Sequence, residues 1–357
     1  MPSPVFSAAH TAALGEAALP HHAPLVAAVR DGLVESVHYG SAIALAADGS
    51  VAATAGDPQA PFYPRSALKP LQAVAMVRAG LELPADLLAL AAASHSGSAA
   101  HRDGALRILH LHGLAPADLE NSSDLPYGTA EREDWLRTGG RPTQITQNCS
   151  GKHAAMAATC VINGWAVRGY LDPSHPLQQL VAQTVTDLTG ENPAALSTDG
   201  CGTPLFALTL GGMARAFGRI ARAASLAATH DGGPGSGSAE AAVGLAMQQH
   251  PDMVAGEGRD VTDLMRLLPG SVAKDGFEGV QLVGLADGGA AAVKISDGGD
   301  RARMPATVRL LAALGVDTGP LAGIATAPVL GGGHQVGQLL ATDFLDTTPS
   351  TPDNEAL

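Results

Sequence analysis

At 357 residues the chain is long enough for one large two-lobed domain or two modest ones. Hydrophobic residues make up 46%, much of it alanine, and aromatics only 3%, which describes a globular core built from Ala, Leu and Val. The net charge of -13 argues against nucleic acid and anionic membrane surfaces as partners.

No Lys or Arg precedes Arg30, so the N-terminus lacks the charged start of a secretory signal. No apolar run reaches the roughly 18 residues that would suggest a membrane span. Cys149, Cys160 and Cys201 are too few for a disulfide framework, and a reducing cytoplasm is the expected compartment.

The stretch APLVAAVRDGLVESVHYGSAIALAADGSVAATAGD, ending at Asp57, predicts strands joined at Asp31-Gly32 and Asp48-Gly49, both strong hairpin signals. From Ser66 to about Leu268 the period becomes helical. SALKPLQAVAMVRAG, AAHRDGALRILHLHG, HPLQQLVAQTVTDLTG and DVTDLMRLLPG space their apolar residues as helices do and mostly end in Gly. FEGVQLVGLADGGAAAVKISDGG then returns to short strands with Asp-Gly turns. Strands at both ends of a long helical middle predict an α+β fold of one two-lobed domain. In it, residues 22–62 and 269–345 form an antiparallel sheet, residues 63–268 an inserted helical lobe, and residues 1–20 and 347–357 poorly ordered tails. The glycines of Thr229–Ala242 are followed by no Gly-Lys-Ser/Thr, so they read as a loop into a helix, not a phosphate cradle.

Lysine usage points to the chemistry. The chain has 17 arginines but four lysines, Lys69, Lys152, Lys274 and Lys294. Arginine stays charged, whereas lysine can lose its proton and act as base or ligand. In PRSALKPLQA, Ser66 and Lys69 stand three apart with Pro70 after them. Proline is harmless only in the first turn, so a helix starts near Ser66 or Ala67 and the pair shares one face at its electropositive end. With 20 serines in the chain a chance Ser-x-x-Lys is unsurprising, and Ser271–Lys274 is a second one. That one enters a strand, where residues three apart point to opposite faces, which leaves Ser271 a poor partner. AAASHSGSAAH (Ala91–His101) follows an apolar helix, and its bland reading is a polar turn capping the next one. Taken together, SALK, SHS and KDG follow the order S-x-x-K, S-x-N, K-T-G of serine β-lactamases and penicillin-binding proteins.

Two further stretches, TQNCSGKHAAMAATC and LSTDGCGTPLFAL, carry Cys149, Lys152, His153, Asp199 and Cys201 in Gly-rich surroundings. Two soft thiolates and a nitrogen suit zinc, although lysine is a rare ligand and no Cys-x-x-Cys is present. Cys160 lies in an apolar helix and reads as core.

In this order, VRDGLVESVHYGSAIALAADGSV, YPRSALKPLQA, ASHSG, QNCSGKHAAM, STDGCGTP, AKDGFEGV and VKISDGGDRA resemble the rhizobial-type (class 3) L-asparaginase family, also called L-asparaginase II. The resemblance covers Val26 to Gln335. It implies a serine β-lactamase-like fold, a homodimer, and hydrolysis of L-asparagine to L-aspartate and ammonia. It places the family's two Ser–Lys pairs on Ser66–Lys69 and Ser94–Lys274, and its zinc cluster on Cys149, Lys152 and Cys201 with Asp199 behind them. Arg65 and His153 match residues lining the substrate site, and Asp199 or Glu278 is then the partner for the substrate's ammonium. The zinc is expected to be auxiliary, because a serine with a lysine base already supplies a nucleophile. Phe277 departs from the family's usual small residue, and VLGGGHQVG is richer in glycine than its pattern. A glutaminase differs from this reading by one methylene of substrate. A non-catalytic amino-acid sensor, or a redox switch on the Cys–Lys–Cys residues, would have no need of the Ser–Lys pairs.

Overall fold

A computed structural model describes residues 19–229 and 238–345; the expected loose ends before 19 and after 345, and the centre of the Gly-rich stretch, lie outside the described residues. The strands are β1 (Ala23–Arg30), β2 (Leu33–Leu45), β3 (Val51–Ala55), β4 (Ala195–Thr198), β5 (Pro204–Ala207), β6 (Val272–Gly276), β7 (Val280–Gly284), β8 (Ala290–Ile295), β9 (Pro328–Gly331) and β10 (His334–Ala341). The helices are α1 (Lys69–Arg78), α2 (Ala85–Ala91), α3 (Ala99–Leu111), α4 (Thr129–Arg137), α5 (Ser150–Ile162), α6 (Pro176–Thr189), α7 (Leu210–Thr229), α8 (Ala239–Gln249), α9 (Pro251–Val254), α10 (Asp260–Leu267) and α11 (Arg303–Ala313).

Eight strands, all from the two ends of the chain, form one antiparallel sheet in the order β6-β7-β8-β2-β1-β10-β9, with β3 on the second half of β2. Asp31-Gly32 and Asp48-Gly49 make the turns their sequence predicts, with Asp31, Gly32 and Gly49 all at positive φ. The glycine-rich VLGGGHQVG is the β9–β10 hairpin: Gly332 and Gly333 sit at φ +58° and +82°, a turn that side chains with a Cβ tolerate poorly. Strands β6 and β7 are buried at every residue, as sheets covered on both faces are. Helices α7 and α11 both pack on β7, β8 and β2 and supply those layers.

The middle of the chain is helical, as its period predicts, with one exception. Ala195–Ala207 is a hairpin, β4 and β5, whose turn carries Asp199 and Cys201. The second exception to the expected layout is α11, a helix within the terminal segment. No helix among the described residues is long and apolar enough to cross a membrane.

Candidate active site

Ser66 does not open the α-helix; it lies in a 3-10 turn, Arg65–Leu68, that leads into α1 at Lys69. Residues i and i+3 eclipse in a 3-10 turn, so Ser66 and Lys69 still share a face, with Pro70 in the first helical turn. Arg65, just before the serine, has left-handed backbone at φ +53°, and Glu278 across the cleft does too at +66°. Each costs about 1–3 kcal/mol and is held by its surroundings. One constraint is close packing of β6 on this turn: a Cβ on Gly276 would stand 2.3 Å from the Pro64 carbonyl oxygen.

Ser94 sits in the loop between α2 and α3. That buried segment satisfies its backbone by bonding across the core: Ser94 N–H donates to Val254 O, His95 N–H to Asn148 O and Ser96 N–H to Ala255 O. The bland reading of the rest of SHSGS holds. Ser98 caps α3, and His95, fully buried and stacked on His101 at 4.9 Å, is kept neutral by burial. Lys274 stands on edge strand β6 opposite Leu282.

These four side chains converge in the interior: Ser66 is 3% exposed, Lys69 1%, Ser94 2% and Lys274 0%. Their pairing differs from the expected one. Lys69 Nζ donates to Ser94 Oγ at 2.8 Å and to the Ala93 carbonyl at 2.7 Å, whereas Lys274 Nζ turns to the carboxylate and carbonyl of Asp275. Lys69 therefore bridges the two serine-bearing segments, and Lys274 is held by its own neighbour. Burial pulls the Lys274 pKa down to about 8, with Lys69 and Arg259 adding to the shift and Asp275 opposing it. Asp275 is held far below the usual carboxylate range: burial opposes its charge, and Lys274, Arg259 and Arg303 overcome that. Ser271 is buried outside this group, its hydroxyl without a hydrogen-bond partner among the described residues.

Ser66 and Ser94 line a narrow cleft of about 10 Å³ with Tyr127, Asn148, Arg259 and Phe277, which also includes Asp275, Gly276 and Asp300. Phe277 packs edge-on against Tyr127 at 5.6 Å, with the guanidiniums of Arg65 and Arg259 over the two rings at 5.8 and 4.9 Å. A larger cleft, about 490 Å³, lies on the other side of Arg65 and includes His22, Asp57, Glu278 and Lys294. Size favours the larger as a ligand site. Chemistry favours the smaller, since none of the four Ser–Lys residues lines the larger. Lys294, the remaining lysine, donates to the Glu278 and Ile295 carbonyls at 2.6 Å and ties β8 to the β6–β7 turn.

The Cys–Lys–Cys residues also converge. Lys152, in the first turn of α5, donates to Cys201 Sγ at 3.1 Å and to Thr203 Oγ1 at 3.0 Å. Cys149 sits before α5, its thiol 3.2 Å from Asn148 Oδ1. A hydrogen bond to the Cys201 sulfur, and burial, push the Cys149 thiol well up; the same bond and the Lys152 ammonium drive Cys201 well down. Burial works against the Lys152 charge, but Cys201, Cys149 and Asp199 outweigh it and raise the pKa. This is an ammonium–thiolate pair with a second thiol beside it. Two sulfurs and an amine, all buried, fit the donor chemistry of zinc. No cluster of three or more His, Cys, Asp and Glu able to hold a metal exists among the described residues, so lysine is indispensable to such a site. The group adjoins the Ser–Lys cleft, because Asn148 lines that cleft and Lys69 acts electrostatically on Cys149.

The substrate-lining residues are divided. Arg65 Nε donates to Asp199 Oδ1 at 2.8 Å, so these two neutralise each other beside the cleft. His153 is fully buried behind the Cys–Lys–Cys group, lines neither cleft, and bonds Tyr170 through Nδ1 at 2.8 Å. Its pKa falls to about 4, through burial and the Lys152 charge, so it offers no cation to a carboxylate. Tyr127, Asn148, Arg259 and Asp300 line the cleft and were not singled out from the sequence; each is an isolated loop or terminal residue outside any periodic pattern.

The sequence profile of the L-asparaginase II family matches residues 26–341 of the chain. The chain belongs to the L-asparaginase II family. It is thus an enzyme, an L-asparaginase, acting on the amide of a small molecule. A comparison with curated proteins returned no match.

Proposed function

We propose that this asparaginase works through a serine acyl-enzyme. Ser66 Oγ attacks the side-chain carbonyl of L-asparagine, the C–N bond breaks to release ammonia, and water then hydrolyses the aspartyl ester to L-aspartate. The reading rests on one observation above all: Ser66 and Ser94 line one small cleft, and the buried Lys69 and Lys274 bond residues of its lining, Ser94 and Asp275.

An amide is a poor electrophile, so the serine needs a base and the nitrogen needs a proton. Lys69, one 3-10 turn from Ser66, takes the hydroxyl proton. Ser94, bonded by Lys69 Nζ, relays a proton to the departing ammonia, and Lys274, with a pKa of about 8, is the second proton source at the cleft. In the second half the direction reverses, and a lysine removes the proton from the attacking water. Backbone N–H groups near Ser66 and at the end of β6 would stabilise the tetrahedral oxyanion. The arrangement of Ser-x-x-Lys at a helix start, a second serine in the helical lobe and a lysine on an edge strand supports a β-lactamase-like reading of the fold.

Cys149, Lys152 and Cys201 would hold one zinc ion as an auxiliary group. Bound there, it would supply a fixed positive charge next to the Arg65–Asp199 pair and shape the adjoining wall. The nucleophile comes from the serine in either case. The homodimer that the family resemblance implies is tested by the mass of the protein in solution.

The deciding experiment is an ammonia-release assay on asparagine, glutamine and a β-lactam, with wild type and Ser66→Ala side by side. Asparagine turnover by wild type and its loss in the variant support the reading. Appreciable turnover by Ser66→Ala rules Ser66 out.

A further inference from the structure

Arg259 follows a short loop after α9 and lies immediately before α10, in GEGRD, where no motif draws attention to it. Its surroundings are unusual for an arginine. One terminal nitrogen, Nη2, donates to Asp275 Oδ2 at 2.8 Å, and the guanidinium stacks on Tyr127 at 4.9 Å. The other, Nη1, is buried and has no hydrogen-bond partner among the described residues. A buried donor on a charged group left unpaired is costly, and of the seven unpaired buried side-chain atoms among the described residues this is the one on a charged arginine. This one belongs to a side chain on the wall of the cleft that also holds Ser66 and Ser94.

The other candidate cations are committed elsewhere. Arg65 is neutralised by Asp199, His153 lines no cleft, Lys69 bridges to Ser94, and Lys274 is bound to Asp275. Asp275 also fixes the Arg259 fork, one carboxylate oxygen on Lys274 and the other on Nη2. A guanidinium so held presents its remaining N–H groups in a fixed direction, which suits planar recognition of a carboxylate. Asp300, which also lines the cleft and accepts from Arg303 Nε at 3.1 Å through Oδ1, gives it an acid as well, the combination a zwitterionic amino acid requires.

We propose that Arg259 receives the α-carboxylate of the substrate and thereby selects free amino acids bearing a side-chain amide. The proposal deepens the acyl-enzyme reading and rests on it for the location of the scissile amide. Arg259 touches substrate and not the reacting bond, so its loss weakens binding and misplaces the amide.

The test compares L-asparagine with L-asparaginamide, in which the α-carboxylate is replaced by a neutral carboxamide. Binding is measured by calorimetry in Ser66→Ala, and again after adding Arg259→Gln. Loss of a charge-assisted contact predicts a roughly 10- to 150-fold weakening for L-asparagine and little change for L-asparaginamide. Arg259→Lys, which keeps the charge without the fork, should recover part of the loss for L-asparagine alone and also serves if Arg259→Gln does not fold. Equal weakening for both ligands, or none for either, overturns the proposal; the former would make Arg259 only a brace for Asp275. If Ser66→Ala still hydrolyses asparagine, the nucleophile assignment fails by itself. The ratio of kcat/KM for the two substrates, in wild type and Arg259→Gln, then decides the role of Arg259.

Discussion

The Ser–Lys and Cys–Lys groups are built alike and differ in what the lysine meets. In each, a buried lysine in the first turn of a helix, Lys69 of α1 or Lys152 of α5, reaches across to a loop residue, Ser94 or Cys201. Lys69 meets neutral hydroxyl and carbonyl oxygens, which accept its hydrogen bonds. Lys152 meets a sulfur that becomes a thiolate beside it. Burial alone therefore does not decide what a lysine becomes. Lys274 makes the same point: it is as buried as Lys152, but has Lys69 and Arg259 among its neighbours, and its pKa goes down while that of Lys152 goes up. The first group is suited to moving protons and the second to holding a soft metal.

The largest effect expected is at Ser66. Ser66→Ala should lower asparagine turnover by roughly 10⁴-fold or more, since removing a nucleophile removes the covalent route altogether. The thermal midpoint should stay within about 3 °C, because one buried oxygen is lost and no cavity lined by large side chains is opened. An intact fold with intact turnover would leave the Ser–Lys group without a function and collapse the contrast with the Cys–Lys group.

Lys274 comes next. Lys274→Ala should reduce kcat by about 10²- to 10⁴-fold as a proton donor is lost, whereas Ser271→Ala should be near neutral. The reverse ranking would end the two-pair mechanism. The pH profile sharpens the test. Lys274 holds its proton below about pH 8 and loses it above, so kcat should fall as pH rises through about 8 if Lys274 donates to ammonia. Asp275 favours the protonated form, so Asp275→Asn should move that limb to lower pH. Stability has the opposite slope. The unfolded lysine keeps its proton to its ordinary value, so between about pH 8 and 10.5 the unfolded state binds more protons and the Lys274 contribution to stability rises with pH. Below about 8 that contribution is gone.

Much of this was legible in the sequence, and the gaps have physical causes. The terminal strands announce themselves by Asp-Gly turns, and α1, α3, α6 and α10 by period. Hairpin β4–β5 went unread because four-residue strands give too short a window for alternation. The residues of the two groups could be named from spacing and resemblance, but not their bonds. Ser94 pairs with Lys69, and Lys274 turns to Asp275, because the side chain nearest in space wins and sequence order carries no distance. Arg259 is invisible for the same reason: its meaning lies in an unpaired Nη1, a property of the packed cleft.

For the Cys–Lys group the expected effects are smaller. Protein purified without chelator should carry about one zinc ion per chain, and Cys149→Ser or Cys201→Ser should abolish most of it. KM for asparagine should then rise by about tenfold or more, with kcat changed less. No zinc in wild type would leave the pair as an ammonium–thiolate bridge. Complete inactivation by a chelator, reversed by zinc, would instead make the metal essential and erase the division of labour between the two groups.

The smallest effect concerns Phe277, which stands where the two groups' surroundings meet. It packs on Tyr127 at the Ser66–Ser94 cleft and lies under Arg65, the arginine that pairs with Asp199. It is also 38% exposed, so it covers the cleft without being part of the core. A side chain that large over so narrow a cleft should exclude a longer substrate, and glutamine is longer than asparagine by one methylene. Discrimination of one methylene is worth only about 1–3 kcal/mol, so the ratio of kcat/KM for the two substrates should lie within roughly 10- to 200-fold. Phe277→Ala should narrow that ratio several-fold, mostly by improving glutamine, while asparagine turnover stays within about threefold of wild type. Loss of asparagine turnover to the extent seen with Lys274→Ala would mean the ring holds the cleft together through Tyr127 and Arg259. An unchanged ratio would place substrate length selection elsewhere, with Tyr127 or Asn148, which also line the cleft, as the next residues to change.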